Sequence, residues 1–373
     1  MSKQIIPHFD WTTLGADPEV VIFSNEGNFV RANEALEGKT NHMVEIDGMF
    51  AELHPNYTTC REILTQNIRD CIASLFHKIP DMIAANDAVA KIPKKELEVA
   101  TQGEVILGCE PDISAYGGTI NIIDIGDPRK LETRTGGGHM HFGGNAGGDY
   151  TNMAAIRDDG YLFYKTYKPI ANDIVKTMDY LCGLPCVLID KGSGPAERRK
   201  LYGKAGSYRI QKHGIEYRVL SNFWLRHFSL VSLVFLFGRI ALIIATEYPD
   251  LMEKIFSLIP EGDVQAIINE NNEEGAKEAT KYIIPYINLL TNYPAIPYLM
   301  FLNNHDFDEL FPKDLASAWG VGRYRRTDGG VEQIEGTDWW GGQASNGFHS
   351  FIKHNKMPVE WKDEIKSLVR EYK

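Results

Sequence analysis

Hydrophobic periodicity changes once along this 373-residue chain, and the change limits the folds open to it. Before residue 222, short β-like runs alternate with tight turns: EVVIFS, NEGN and FVRAN, then MVEI, Asp47-Gly48 and MFAELH. Asp-Gly between two such runs signals a hairpin, because the tight turn requires a positive φ that these two residues tolerate. Beyond residue 222 the apolar spacing turns helical through 230–246, 251–259, 263–271 and 274–290. Strands first and helices after predict an α+β fold with an antiparallel meander, not a regular βαβ alternation. Residues 59–77 place Ile63, Leu64, Ile68, Cys71, Ile72, Leu75 and Phe76 at helical spacing before Pro80, which predicts an amphipathic helix packed on the sheet. Further strands are expected at 104–109, 136–144 and 214–221, with a helical stretch near 151–182. Beyond residue 310, GVGRYRRTDGGVEQIEGTDWWGGQ reads as irregular, glycine-rich surface with exposed aromatics.

Composition narrows the function classes. A hydrophobic content of 43%, with 17 Tyr, 17 Phe and 6 Trp, supplies a sizeable core and excludes disorder over most of the length. The net charge of -11 argues against a general binder of nucleic acid or anionic membrane. Cys60, Cys71, Cys109, Cys182 and Cys186 are odd in number and scattered, which predicts buried thiols in a reducing, cytoplasmic setting. The start, MSKQIIPHFDW, lacks the apolar stretch of a signal peptide. The longest apolar run, LVSLVFLFGRIALIIA, is short for a bilayer span and interrupted by Arg239, so it is expected to be a buried helix.

The chemistry concentrates in short polar pairs. GGGHMHFGG at 136–144 holds His139 and His141 at strand spacing, so in an extended chain both project to one face. Interior glycine weakens a strand unless a backbone or ligand must come close, which favours a site over a pair of satisfied core histidines. Two such imidazoles suit a divalent metal, or one metal and one phosphate. Asp17 with Glu19, Glu52 with His54, and Glu216 with Arg218 repeat the spacing on what reads as a single sheet. A polar face of carboxylate, imidazole and guanidinium is what two or more magnesium ions and a polyphosphate require. Glu110 and Asp112 form another acidic pair, able to join the metal cluster, to bind a substrate amine, or simply to form a turn. Arg198, Arg199, Lys200, Lys204 and Arg209 crowd a segment read as a glycine-containing loop, where a triphosphate is the natural anion and a solvated basic surface the plain alternative. The chain carries no P-loop pattern and no strand-borne GxGxxG, so phosphate binding would rest on metal and arginine.

In order, GADPEVVI, IDGMFAELHPNY, GCEPDISAY, GGGHMHFGG, RRKLYGKAGSYR and GIEYRVLSNFWL resemble the glutamine synthetase-like carboxylate-amine ligases, most closely their phage-type COOH-NH2 ligase type 2 branch. The resemblance runs from residue 15 to about 225. It implies a curved antiparallel sheet forming a half-barrel backed by helices, with ATP and magnesium (or manganese) on the concave face, over a domain of residues 12–300. Residues 301–373 are then a C-terminal extension outside the resemblance. It also implies that Asp17, Glu19, Glu52, His139 and Glu216 ligate metal, with Asp17 and Glu19 on different ions. Arg218 contacts the transferred phosphoryl group. His141, Arg198, Arg199, Lys204 and Arg209 surround the nucleotide, and the glycines beside His139 let the strand approach its phosphates. Glu110 or Asp112 takes the proton of the incoming ammonium. The implied reaction forms an amide or isopeptide bond through an acyl phosphate, from small-molecule or peptide carboxylate and amine substrates, in a homo-oligomer as among relatives. The compartment would be the host cytoplasm if the gene is a phage's. Two departures stand out: Asp17 replaces the usual first glutamate, and the Glu110-Pro-Asp112 block has no clear counterpart in glutamine synthetase.

Two rival readings remain at this stage. A metal-dependent hydrolase would use His139 and His141 as zinc ligands, but His213 and His227 lack evident carboxylate partners and Glu216-Tyr-Arg218 goes unexplained. A non-catalytic phage structural or binding protein would be expected to have lost one of Asp17, Glu19, His139, Glu216 or Arg218, and all five are present.

Overall fold

The computed structural model describes residues 12–105, 112–117, 120–121, 127–144, 168–211, 213–291, 295–327 and 330–335, with a few positions between 363 and 370. Glu110, Cys109, most of the strand expected at 104–109, and residues 151–167 lie outside the described residues. The strands, in chain order, are β1 (Thr12–Ala16), β2 (Glu19–Ser24), β3 (Phe29–Val30), β4 (Val44–Asp47), β5 (Phe50–Leu53), β6 (Met82–Ala85), β7 (Val89–Lys91), β8 (Asp112–Ser114), β9 (Ile120–Asn121), β10 (Thr133–Thr135), β11 (Met140–Gly144), β12 (Ser207–Gln211), β13 (Gly214–Tyr217), β14 (Arg323–Thr327) and β15 (Gly330–Glu335).

These strands build an α+β molecule whose curled antiparallel sheet is backed by helices, with a helix-rich second half. The polar pairs, expected on one sheet, occupy two. The larger has the order β1-β11-β13-β12-β8-β9, and the smaller runs β3-β2-β5-β4 with β6 also on β2. The division falls at Asp17-Pro18, where one extended segment leaves the larger sheet as β1 and enters the smaller as β2. Proline has no N–H for a ladder bond and is confined to strand ends and edges, so it suits such a break. The Pro18 carbonyl is still used, accepting from the Leu53 N–H at 3.0 Å. The Asp47-Gly48 hairpin forms as expected between β4 and β5, with Gly48 at φ 55.

Period-two alternation sorts the larger sheet into two faces. Leu14, Met140, Phe142, Tyr208, Ile215 and Tyr217 are buried in the main core. Against that face lies the helix Phe228–Glu247, buried from Phe228 through Ala245. By composition this helix is long and apolar enough to cross a membrane, yet protein covers it entirely. Its Arg239 is accommodated by donating to the backbone carbonyls of Thr12 and Thr59. Helix and sheet approach closely at Gly238, where a Cβ would come within 2.4 Å of the Phe142 ring. The Phe142 and Phe235 ring centroids are 5.9 Å apart.

The amphipathic helix spans Arg61–Lys78 and buries Leu64, Ile68, Cys71, Ile72, Leu75 and Phe76. Ile63, placed on the apolar stripe by spacing, instead faces outward at 53% exposure. Two other expectations change. Gln102–Val105 is a short helix, not the start of a strand. Part of the tail read as irregular is a hairpin of β14 and β15. The main core continues past residue 300 through Leu302, Leu310, Phe311, Leu315 and Trp319. Cys71, Cys182 and Cys186 are buried free thiols and Cys60 a half-buried one.

Truncating Phe142 to alanine removes the ring that joins sheet to helix. Urea denaturation should show a loss of about 3–5 kcal/mol; a loss below about 1 kcal/mol would mean that this seam carries little of the stability.

Candidate active site

Strand register assembles the site on the face opposite the core. His141 on β11 pairs with Glu216 on β13, which pairs in turn with Arg209 on β12. Directly paired residues project to the same side of a sheet, so these three stand in a row. In the smaller sheet Glu19 pairs with Glu52, which also pairs with Glu45, and Asp47 lies two residues on from Glu45. The Asp17-Pro18 break places one row beside the other.

Two nests of possible metal ligands result: Asp17, His139 and Glu216, and beside them Glu19, Asp47 and Glu52. In each, one ligand atom per residue lies within 4.8 Å of the others. In the first, His139 Nδ1 is 3.2 Å from Asp17 Oδ1 and 3.6 Å from Glu216 Oε1. Both His139 Nδ1 and Asp17 Oδ1 are buried without a hydrogen bond of good geometry. Burial pulls the His139 pKa down to about 4, with Arg218 and Arg198 adding to the effect against the pull of Asp17. A neutral imidazole with an open nitrogen beside two carboxylate oxygens is a donor set that fits a divalent cation. Burial also works against the Asp17 carboxylate, but His141 and His139 outweigh it and hold its pKa well below the usual value. His141 reaches the other Asp17 oxygen, with Nε2 3.1 Å from Oδ2, and its Nδ1 lies 3.0 Å from Nε2 of His213 at an exposed turn. The two histidines therefore share Asp17 but differ in role: His139 faces the nest, and His141 braces the aspartate from outside it.

The second nest is a concentration of like charge. Burial first, then Asp47, pushes the Glu19 pKa from 4.5 to about 8, even though the Gly137 N–H donates to Glu19 Oε2 at 2.9 Å. Burial also raises Asp47 and Glu52, and Asp17 adds to the rise in both. Glu52 is held by His54, whose Nε2 lies 2.7 Å from Oε2. Carboxylates that destabilise one another when ionised are what a hard cation relieves.

The expected basic loop is helical as far as Leu201 and extended from Ser207, and two of its arginines, Arg198 and Arg199, turn into the protein. Arg198 is fully buried and donates to the carbonyls of Gly136, Val219 and Arg218 at 3.0–3.1 Å. Arg199 donates to Ile268 O and Asn271 Oδ1. These two assignments to the nucleotide are corrected, because a buried guanidinium bonded to backbone carbonyls knits elements together. Lys204 is exposed on the following turn. Arg209 does reach the site, with Nη1 3.6 Å from Glu216 Oε2.

Arg218 is the cation at the centre of the site, 2% exposed. Its Nε lies 2.7 Å from Asp112 Oδ1, and its Nη1 donates to Glu216 Oε1. Asp112, expected to take a proton from the amine, is thereby engaged in holding the arginine. The glycines beside His139 also have a different use from the one expected: they admit protein, not phosphate. A Cβ at Gly137 would come within 2.6 Å of His139 Nε2, while Gly136 and Gly138 press on the backbone of Asp87 and Ser221.

Two participants were missed in the sequence. Asp47 was read only as the turn residue of its hairpin, although its position two residues from Glu45 on a strand with an acidic face was visible. Tyr202, whose hydroxyl lies 3.1 Å from His139 Nε2, gives no signal in the sequence, being one aromatic among many.

A family model described as phage phiEco32-like COOH.NH2 ligase-type 2 matches residues 160–298, less than half of the chain. The matched stretch contains Tyr202, Arg209, Glu216 and Arg218, and it names the same ligase group that the sequence motifs resemble. No curated protein matches in sequence. Among solved structures, the crystal structure of a bifunctional glutathione synthetase from Pasteurella multocida is similar with a TM-score of 0.38 and 12% identity, covering 78% of this chain and 52% of that one. The chain thus spans about half the length of that protein.

The raised Glu19 pKa has a stability consequence. A carboxyl at about 8 in the folded state and 4.5 ordinarily gives a contribution fully present below pH 4.5 and lost as pH rises through 8. In metal-free protein, Glu19→Gln should leave the melting temperature unchanged below pH about 4.5 and raise it above pH about 8. Equal melting curves for the two proteins at both ends would contradict the assigned charge crowding.

Proposed function

We propose that this chain is an ATP-dependent carboxylate-amine ligase that forms an amide or isopeptide bond through an acyl phosphate. The observation that carries the reading is the pairing of two adjacent carboxylate-rich nests with an arginine held by two carboxylates at the same site. The matched ligase family supports the same reading.

Asp17, His139 and Glu216 would hold one magnesium ion, and Glu19, Asp47 and Glu52 another, with manganese a substitute. Such ions, when bound, supply positive charge to the oxygens of the transferred phosphoryl group. The donor chemistry favours hard cations over zinc, since the nests offer five carboxylates and one imidazole. This count also weakens the hydrolase reading.

The substrate carboxylate attacks the γ-phosphorus of ATP, a bond to oxygen forms as the bond to ADP breaks, and an acyl phosphate results. Arg218 is set to offset the charge spreading over the phosphoryl oxygens, because Asp112 and Glu216 fix the plane of its guanidinium before substrate arrives. The neutral amine then attacks the acyl carbon, the bond from that carbon to the phosphate oxygen breaks, and the proton lost by the nitrogen leaves with the inorganic phosphate. Glu110, expected as a proton acceptor, lies outside the described residues, and Asp112 serves the arginine. Small-molecule or peptide carboxylates and amines are the substrate class, and the reaction needs no nucleic acid or membrane.

Calorimetric titration with ATP tests the reading directly. Binding should require magnesium, and Arg218→Ala should weaken turnover on an accepted acid and amine by at least about 100-fold. With the acid labelled by oxygen-18, one labelled oxygen should appear in the released phosphate. Magnesium-independent binding, or phosphate without label, would overturn the acyl-phosphate reading.

A further inference from the structure

The segment RRKLYG, singled out for its positive charge, has a different use once its arginines are seen to be structural. Its tyrosine ends on the ligand nest. The Tyr202 hydroxyl lies 3.1 Å from His139 Nε2, the ring nitrogen opposite the one that faces Asp17 and Glu216. We propose that Tyr202 is a positioning residue for the first metal site, accepting a hydrogen bond from His139 Nε2–H and so leaving Nδ1 unprotonated and aimed at the cation. The assignment rests on the two-metal reading of the site given above.

Three features hold the tyrosine in place. Its ring packs against two guanidiniums, with Arg198 Cζ at 5.1 Å and Arg218 Cζ at 4.9 Å from the ring centroid. Both guanidiniums are themselves immobilised, one by three carbonyls and the other by Asp112 and Glu216. The ring therefore sits against charge that cannot swing away, and cation–π attraction favours it there. At the backbone, the Tyr202 N–H donates to Arg198 O at 2.7 Å and closes the helix Ser193–Leu201. The next residue must be glycine for the chain to turn here: Gly203 has φ 69, and a Cβ would come within 2.2 Å of Arg198 Nη1. Gly137 makes room for the histidine, since its missing Cβ leaves the space that His139 Nε2 occupies.

Ligand histidines gain orientation and basicity from the partner of their second nitrogen, and losing that partner typically lowers metal affinity 10–100-fold. Tyr202 has such a contact with only one of the two nests. The Glu19, Asp47 and Glu52 nest contains no histidine, and among the described residues the Tyr202 hydroxyl bonds to His139 of the other nest. A positioning role therefore predicts a loss confined to one metal, whereas a merely structural role would disturb both or neither.

Manganese titration, followed by the electron paramagnetic resonance of the free ion and by calorimetry, reads this out without any catalytic assay. The wild-type chain should bind two manganese ions. Tyr202→Phe, which keeps the ring and removes the hydroxyl, should weaken one by about 10–100-fold and leave the other unchanged. The metal-free Tyr202→Phe protein should melt together with the wild type, which separates a lost hydrogen bond from a folding defect. Unchanged affinities at both sites, or equal weakening at both, would overturn the assignment while leaving the two-metal reading intact. A wild-type chain that takes up no manganese would overturn that reading, and this assignment with it.

Discussion

The break in the extended segment at Asp17-Pro18 is the constraint on which the rest of the site depends. Without it, a single strand would carry Asp17 and Glu19 side by side on one face, feeding one crowded cluster. With it, β1 stays in register with β11, Gly15 opposite His141, while β2 starts afresh with Glu19 opposite Glu52. Two neighbouring acids in sequence thereby serve two sheets and two nests. The two sheets are then joined through backbone on either side of the break. Glu19 N donates to Gly137 O at 3.0 Å, and Asn222 Nδ2 donates to Glu19 O at 2.7 Å.

So much buried charge survives because it is arranged in alternating sign. Asp112, Arg218 and Glu216 form one such chain and Asp17 with His141 another, and the neutral His139 stands between them. Each charge has an opposite neighbour, which is the condition under which buried ionic groups persist. The Glu19 nest holds three carboxylates and no cation of its own, and like charge adds to burial in raising their pKa values, Glu19 to about 8. That imbalance is stored at the place where a cation would enter, as functional sites commonly depart from the electrostatic optimum of the surrounding fold.

Much of this was legible in the sequence, and what was not has identifiable reasons. The Asp47-Gly48 hairpin, the amphipathic helix at Arg61–Lys78 and the long helices after residue 222 follow from local turn chemistry and periodicity, and all three form. The pairs Asp17 with Glu19, Glu52 with His54 and Glu216 with Arg218 do reach one region of the molecule. The division into two sheets was hidden because it turns on one proline that also reads as an ordinary strand start. Asp47 was obscured by the same turn signal that located its hairpin. Arg198 and Arg199 misled because a charge run does not reveal which cations turn inward, and burial on backbone carbonyls is a tertiary outcome. Tyr202 contributes through contacts with His139, Arg198 and Arg218, which adjacency along the chain encodes only for Arg198, four residues before it.

The central claim is that one sequence break creates two adjacent cation sites of different composition. Anomalous diffraction from crystals soaked in manganese measures this most directly. The account predicts two peaks, one among Asp17, His139 and Glu216 and the other among Glu19, Asp47 and Glu52. A single peak bound by His139, His141 and His213 together, or none at either nest, would contradict it.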